Sequence, residues 1–218
     1  MKQLFPRSAN YISKASIVIG GLVAVTVFLA GNVLVRSSYF TQIGVAREQP
    51  VMFSHKHHVQ GLGLDCRYCH TTVDESAFAG IPPTETCMTC HSQIWTEAPM
   101  LEPVRESWKT GKPLEWVRVH DAPDFVFFDH SIHVNKGVSC KTCHGRVDEM
   151  PLVRKNETLQ MEWCLTCHFD PEKFIQPKET VYDMDYERPA DHDLQAILLM
   201  EEYGIQKEQL TNCSICHR

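Results

Sequence analysis

The sequence predicts a mainly α-helical protein with extensive irregular loops: one N-terminal transmembrane helix, then a domain of short helices joined by long connections. Three observations lead there. Ala15 to Val35 is a run of 21 residues without a charge. All ten Cys of the 218-residue chain fall into five copies of CxxCH, most of them in Pro-containing surroundings that interrupt helices. No long alternation of apolar and polar residues announces a sheet, so any strands should be short.

The apolar run comes first. About 20 apolar residues cross a bilayer core as a helix, and this one is bounded by Lys14 and Arg36. Lys2, Arg7 and Lys14 precede it, and no acid occurs before Glu48. Positive charge on that side keeps the N-terminus in the cytoplasm. The expected organisation is a cytoplasmic tail over 1–14, an anchor over 15–36, a tether over 37–51 and a domain over 52–218. That domain lies on the periplasmic side of the cell inner membrane, and the chain is single-pass. The rival is a cleaved signal peptide, whose apolar core is about 7 to 15 residues with small residues before the cut. The run is longer, and a cut after Ala30 would put bulky Phe28 at the third position before it.

Charge narrows the partners. With 21 Lys+Arg against 27 Asp+Glu the chain carries −6, the wrong sign for holding nucleic-acid phosphates. The paired acids, such as Glu201 with Glu202 and those over 183–187, have no motif around them and read as solvated surface.

The Cys motifs carry the chemistry. They are Cys66, Cys69 and His70; Cys87, Cys90 and His91; Cys140, Cys143 and His144; Cys164, Cys167 and His168; Cys213, Cys216 and His217. Disulfides would need no His after every second Cys. Zinc sites of four thiolates use CxxC pairs two at a time, and five pairs do not divide evenly. Thioredoxin-like pairs want a βαβ setting that is missing. Covalent c-type haem uses every residue of the motif. Positions i and i+3 of a helical turn face the same way, so both thiols reach one porphyrin edge. The following His lies on that face and meets the iron. Five c-type haems are therefore expected, with His70, His91, His144, His168 and His217 as proximal ligands. So many porphyrins in so short a chain must themselves supply most of the apolar interior.

Each iron has a sixth position. His55, His57, His58, His120, His130, His133 and His192 lie outside the motifs, enough for complete bis-histidine ligation. An internal repeat selects among them. Phe53 to Val59 and Phe128 to Val134 share the form FxHxxHV at an offset of 75, and the following haem motifs repeat at offsets of 74 and 77. The chain thus reads as a two-haem unit duplicated, over about 52–103 and 116–175, with a fifth haem at 191–218. His55, His58, His130 and His133 become distal candidates, while His57 has no counterpart and reads as surface or supporting. The fifth distal position is assigned to His120, with Met161, Met200 and a solvated, helix-starting His192 as the other candidates.

FxHxxH ahead of CxxCH resembles the class III multihaem cytochromes, in which both His ligate iron; the resemblance covers residues 53–70 and 128–144. From Trp116 to Gly145, in Met161 to His168 and in the Cys213 to His217 ending, the chain is similar to the pentahaem cytochrome c subunit of alternative complex III. The same module resembles the multihaem subunit of a related quinone reductase complex, so the resemblance leaves the direction of electron flow open. It implies an electron-transfer subunit, not an enzyme by itself, within a quinol-oxidising complex. The implied partners are polytopic quinol-binding membrane subunits, an iron–sulfur subunit, monohaem cytochrome subunits and the lipid bilayer. Electrons would leave towards a soluble carrier or a terminal oxidase. Two other readings stay open. A stand-alone anchored quinol dehydrogenase shares the single helix, but its first motif usually reads CxxCHxM, and here Thr71 and Thr72 follow His70. A reductase of small nitrogen or sulfur oxides would need an iron with a vacant position.

Overall fold

A computed structural model describes residues 4–218, so the first three residues of the expected tail, Lys2 among them, lie outside the description. The chain divides into two units, 1–42 and 43–218.

The first unit holds α1, Ala9–Arg36, and the single turn α2, Ser38–Thr41. Helix α1 begins six residues before the uncharged run, because nothing between Pro6 and Lys14 breaks a helix. Its 28 residues reach about 42 Å, against a hydrocarbon thickness of about 30 Å. The helix is long and apolar enough to cross a membrane, and none of its residues is buried. Its hydroxyls are satisfied within the helix: Ser13 donates to the Ala9 carbonyl at 3.0 Å and Thr26 to Leu22 at 2.9 Å. Such internal bonding suits a segment that finds no water.

The second unit is a string of short helices: α3 Cys66–Cys69, α4 Thr84–His91, α5 Glu102–Thr110, α6 His130–Asn135, α7 Cys140–His144, α8 Met161–Phe169, α9 His192–Glu202 and α10 Cys213–Cys216. A π-helical turn occupies Lys56–Gly61. Among the described residues no strand forms. Three isolated bridges stand in their place, and two of them pair Ile43 and Ala46, within the expected tether, with Lys155 and Arg154.

The polypeptide core is small and split. One cluster is Val51, Leu101 and Val104, with Cys87, Met88 and Trp116 against it; the other is Ile175, Leu199 and Tyr203, with Met200 and Ile205. Gly137 explains one tight approach. It has φ +80, and a Cβ there would collide with the Gln176 carbonyl, so only glycine lets the loop ahead of α7 lie against 175–176.

Candidate haem-binding site

Each motif helix is set by what precedes it. Asp65 starts α3 by accepting the Arg67 backbone N–H at 2.8 Å, and it grips the Arg67 guanidinium at 2.9 and 2.8 Å. Asp129 starts α6, accepting from the Ser131 hydroxyl at 2.6 Å and the Ile132 N–H at 3.4 Å. The five helices that carry the thiols bury none of their residues in the polypeptide. A helix without a fully buried face draws little stability from packing; only α4 leans on the polypeptide core, through Cys87 and Met88.

The imidazoles are tightly oriented. Seven ring nitrogens Nδ1 meet backbone carbonyls: His58 on Ser54 at 2.9 Å, His70 on Gly80 at 2.7 Å, His91 on Ile94 at 3.3 Å, His130 on Ala77 at 2.8 Å, His133 on Asp129 at 2.7 Å, His168 on Leu210 at 2.7 Å and His217 on Phe125 at 3.1 Å. An Nδ1–H given to a carbonyl leaves the Nε2 lone pair for a metal, the usual outer-shell arrangement of ligating His. Gly80 makes one of these carbonyls available through its φ of +79.

The two repeats share their Phe–His ring contacts, although His55 Nδ1 lacks the carbonyl partner that His130 has. Phe53 lies flat on His58, centroids 4.3 Å apart, and edge-on to His55 at 4.9 Å. Phe128 lies flat on His133 at 4.6 Å and edge-on to His130 at 4.7 Å. Sequence reasoning used these Phe only to mark the repeat. Their contacts fix the orientation of both rings in each pair, and their invariance between the repeats was the available clue.

Ring separations sort the rings into pairs. Two imidazoles on opposite sides of one metal, at bonds of about 2 Å, have centres about 6 Å apart. His58 and His91 stand 6.3 Å apart, His133 and His168 6.3 Å, and His130 and His144 6.4 Å. His55 lies near His70, whose charge would disfavour its protonation. His120 is different. Its ring lies 4.3 Å from His144, too near for a metal between them, and its Nε2 is buried without a hydrogen-bond partner. The structure thus gathers His120 with His130 and His144 and gives no contact between it and His217, whose ring packs on Phe125 at 5.9 Å. His57 lies exposed, near Trp95. His192 opens α9 as expected, but it is buried rather than solvated, with neither ring nitrogen partnered. A sequence pattern cannot distinguish such a buried helix-starting ring from an exposed cap. Met161 is exposed at the start of α8, and Met200 packs with Ile175, Leu199 and Tyr203.

Burial sets the charge of these rings. Desolvation, reinforced by neighbouring rings, holds His55 and His120 down to about 4 and His144 to about 3. His58 and His133 are lowered for the same reason. All five are neutral at pH 7, as a ligand must be.

Residues 35–100 match the class III cytochrome c family, and residues 126–218 match cytochrome c7 and related cytochromes c. The multihaem cytochrome c subunit of menaquinone reductase from Nitratidesulfovibrio vulgaris is 31% identical over 172 residues, covering 78% of this chain and 68% of that one. The chain belongs to the class III type of multihaem cytochromes c.

The cytochrome is therefore an electron-transport protein with covalently bound c-type haem, mostly helical, with one N-terminal apolar helix. Its residues fit that group on three counts. The thiols stand on turns with no fully buried residue, no disulfide joins them, and eight are half-buried while Cys90 and Cys213 are exposed. Seven of the rings are anchored through Nδ1, and three pairs have the spacing that an enclosed iron requires.

Proposed function

We propose that this cytochrome carries five haems and relays electrons within a membrane complex that exchanges them with a quinone. It is not an enzyme by itself. The proposed thioether residues are Cys66, Cys69, Cys87, Cys90, Cys140, Cys143, Cys164, Cys167, Cys213 and Cys216, with His70, His91, His144, His168 and His217 as proximal donors. His58, His133, His130 and His55 are the distal donors facing His91, His168, His144 and His70. His120 remains the sequence-based candidate for the fifth iron.

The single observation that carries the reading is the set of ring pairs at 6.3 to 6.4 Å. When bound, each haem supplies a one-electron couple. Where two imidazoles face each other they would hold the iron from both sides, leaving no place for a substrate and favouring electron transfer over activation. The carbonyls on Nδ1 hold each ring in place, and Phe53 and Phe128 brace the distal pairs.

The relative's name, a menaquinone reductase subunit, supports a quinone-linked complex. The similarity of 116–145 and 161–168 to the pentahaem subunit of alternative complex III makes that complex our finer assignment. The reading places α1 in the inner membrane, the haem domain in the periplasm, and polytopic and iron–sulfur subunits beside it. The direction of flow then follows from the potentials of those partners.

Purification from membranes in mild detergent tests this. We expect iron–sulfur and polytopic subunits to copurify, a denatured mass with five added haems, and a low-spin spectrum throughout. A lone protein that oxidises quinol, or fewer than five haems, would overturn the reading.

A further inference from the structure

Beside the second motif, one residue holds a backbone conformation that its side chain disfavours. Trp95 has φ +56, where a bulky side chain crowds the backbone and glycine is the ordinary occupant. The turn itself has a use: it follows α4 and returns the Ile94 carbonyl to His91 Nδ1 at 3.3 Å. Gly80, at φ +79, offers its own carbonyl to His70 without steric cost. A tryptophan in such a turn is therefore explained by its ring. Burial does not account for that ring, because the residue is 58% exposed. The indole stands 5.9 Å from the His57 ring, tilted by 31°, within the range of aromatic pairing. His57 is itself exposed and faces Ile132 in the repeat alignment. It shares an anchor with His58: the His57 N–H donates to Ser54 Oγ at 3.2 Å, and His58 Nδ1 meets the Ser54 carbonyl at 2.9 Å. The two rings are edge-on at 5.4 Å, both on the π-helical turn Lys56–Gly61. The Trp95 contact thus joins the chain leaving His91 to the turn that carries His58, the two rings that face each other at 6.3 Å.

We infer that the Trp95–His57 contact is a clasp that keeps His58 on the iron of the second haem, which makes Trp95 and His57 positioning residues for electron transfer and not ligands. The inference rests on the ligation reading above. The fourth motif is fastened by charge instead. Glu172 stands four residues after His168, as Trp95 does after His91. It pairs with Lys207 at 2.7 Å, in the segment whose Leu210 carbonyl meets His168 Nδ1. Such fastening matters because a distal ring that swings away turns an electron-transfer iron into a site for small ligands. The second haem's clasp lies in the open, so its loss leaves the polypeptide core untouched while freeing one axial ring.

The test is carbon monoxide binding to the reduced full-length holoprotein, which at an iron held by two imidazoles waits for the distal ring to leave. Trp95→Gly removes the indole and suits the left-handed backbone. It is expected to speed one phase, with the amplitude of a single haem, by between about twofold and tenfold, the worth of one aromatic contact. His57→Ala should speed the same phase, and the double variant no more than either change alone. Trp95→Phe should keep most of the original rate. In a His58→Ala background, where that iron is already open, Trp95→Gly should add nothing. An unchanged rate in Trp95→Gly, acceleration spread over several haems, or independent effects of the two substitutions overturns the inference. If Trp95→Gly does not mature, His57→Ala, which leaves the turn after α4 intact, is read against the same outcomes. A His58→Ala protein that opens no iron sinks the distal assignment and the clasp with it; an open iron there with an indifferent Trp95 sinks the clasp alone.

Discussion

His133 shows how one side chain is prepared for a metal. Its Nδ1 rests on the Asp129 carbonyl, its face rests on Phe128, and its far side looks towards His168. Replacing it with Ala should leave the haem mass unchanged, open one iron in five and create a carbon monoxide-binding, high-spin species visible in the Soret band. Phe128→Leu removes the flat stacking contact and should cost about 1 kcal/mol, read as a lower denaturation midpoint with ligation retained. The pH response follows from the rings' depressed values. A His whose folded pKa lies below its free value of 6.5 stabilises the fold fully above 6.5, and that contribution is lost as the pH falls. For His55 and His120 the window runs from 6.5 to about 4, and for His144 to about 3. The denaturation midpoint should be flat from pH 9 to 7 and fall as the pH drops from 6.5 towards 4. The CxxCH and FxHxxH motifs were legible because their residues sit at fixed local spacing, and the structure brings their rings together in pairs. The place of His120 was not, since tertiary packing brings it to His144 across 24 residues of chain.

At the scale of elements, the helices depend on caps and tight turns more than on core contacts. Gly137→Ala would add a side chain at φ +80 and push it into the Gln176 carbonyl, at a cost of about 1–3 kcal/mol. Thermal melting of the holoprotein checks this. Helices α1 and α9 were legible, the first from its uncharged run and the second from Leu194, Ile197 and Leu198. The early start of α1 was not, because Asn10, Tyr11 and Ser13 carry no strong helix preference. Nor was the pairing of 43–46 with 154–155, which is long-range. The acids over 183–187 are not all merely solvated: Asp185 meets Arg146 at 2.8 Å, beside Asp148 at 2.6 Å.

For the molecule as a whole, two small apolar clusters are a thin basis for a domain of this length. The porphyrins complete the interior, so the chain made in cells that cannot attach haem should be protease-sensitive and lack a cooperative melt, while α1 still partitions with membranes. Retention of a folded, haem-free domain would contradict that expectation. Fold class was readable from motif density, but spatial order was not, since a linear code numbers the motifs without saying which of them touch.

The contact of the first motif with the third has a consequence for biogenesis. Asp74 and Ser76 wait for Asn135 and Ser131, and the Lys56 backbone waits for Met150. A domain that emerges behind its N-terminal anchor, nearest residues first, would therefore expose its first haem motif, half-covered, until some eighty further residues have followed. Losing the late contacts, as in a chain truncated before Asn135, should therefore leave the first motif exposed even where its own turn is intact.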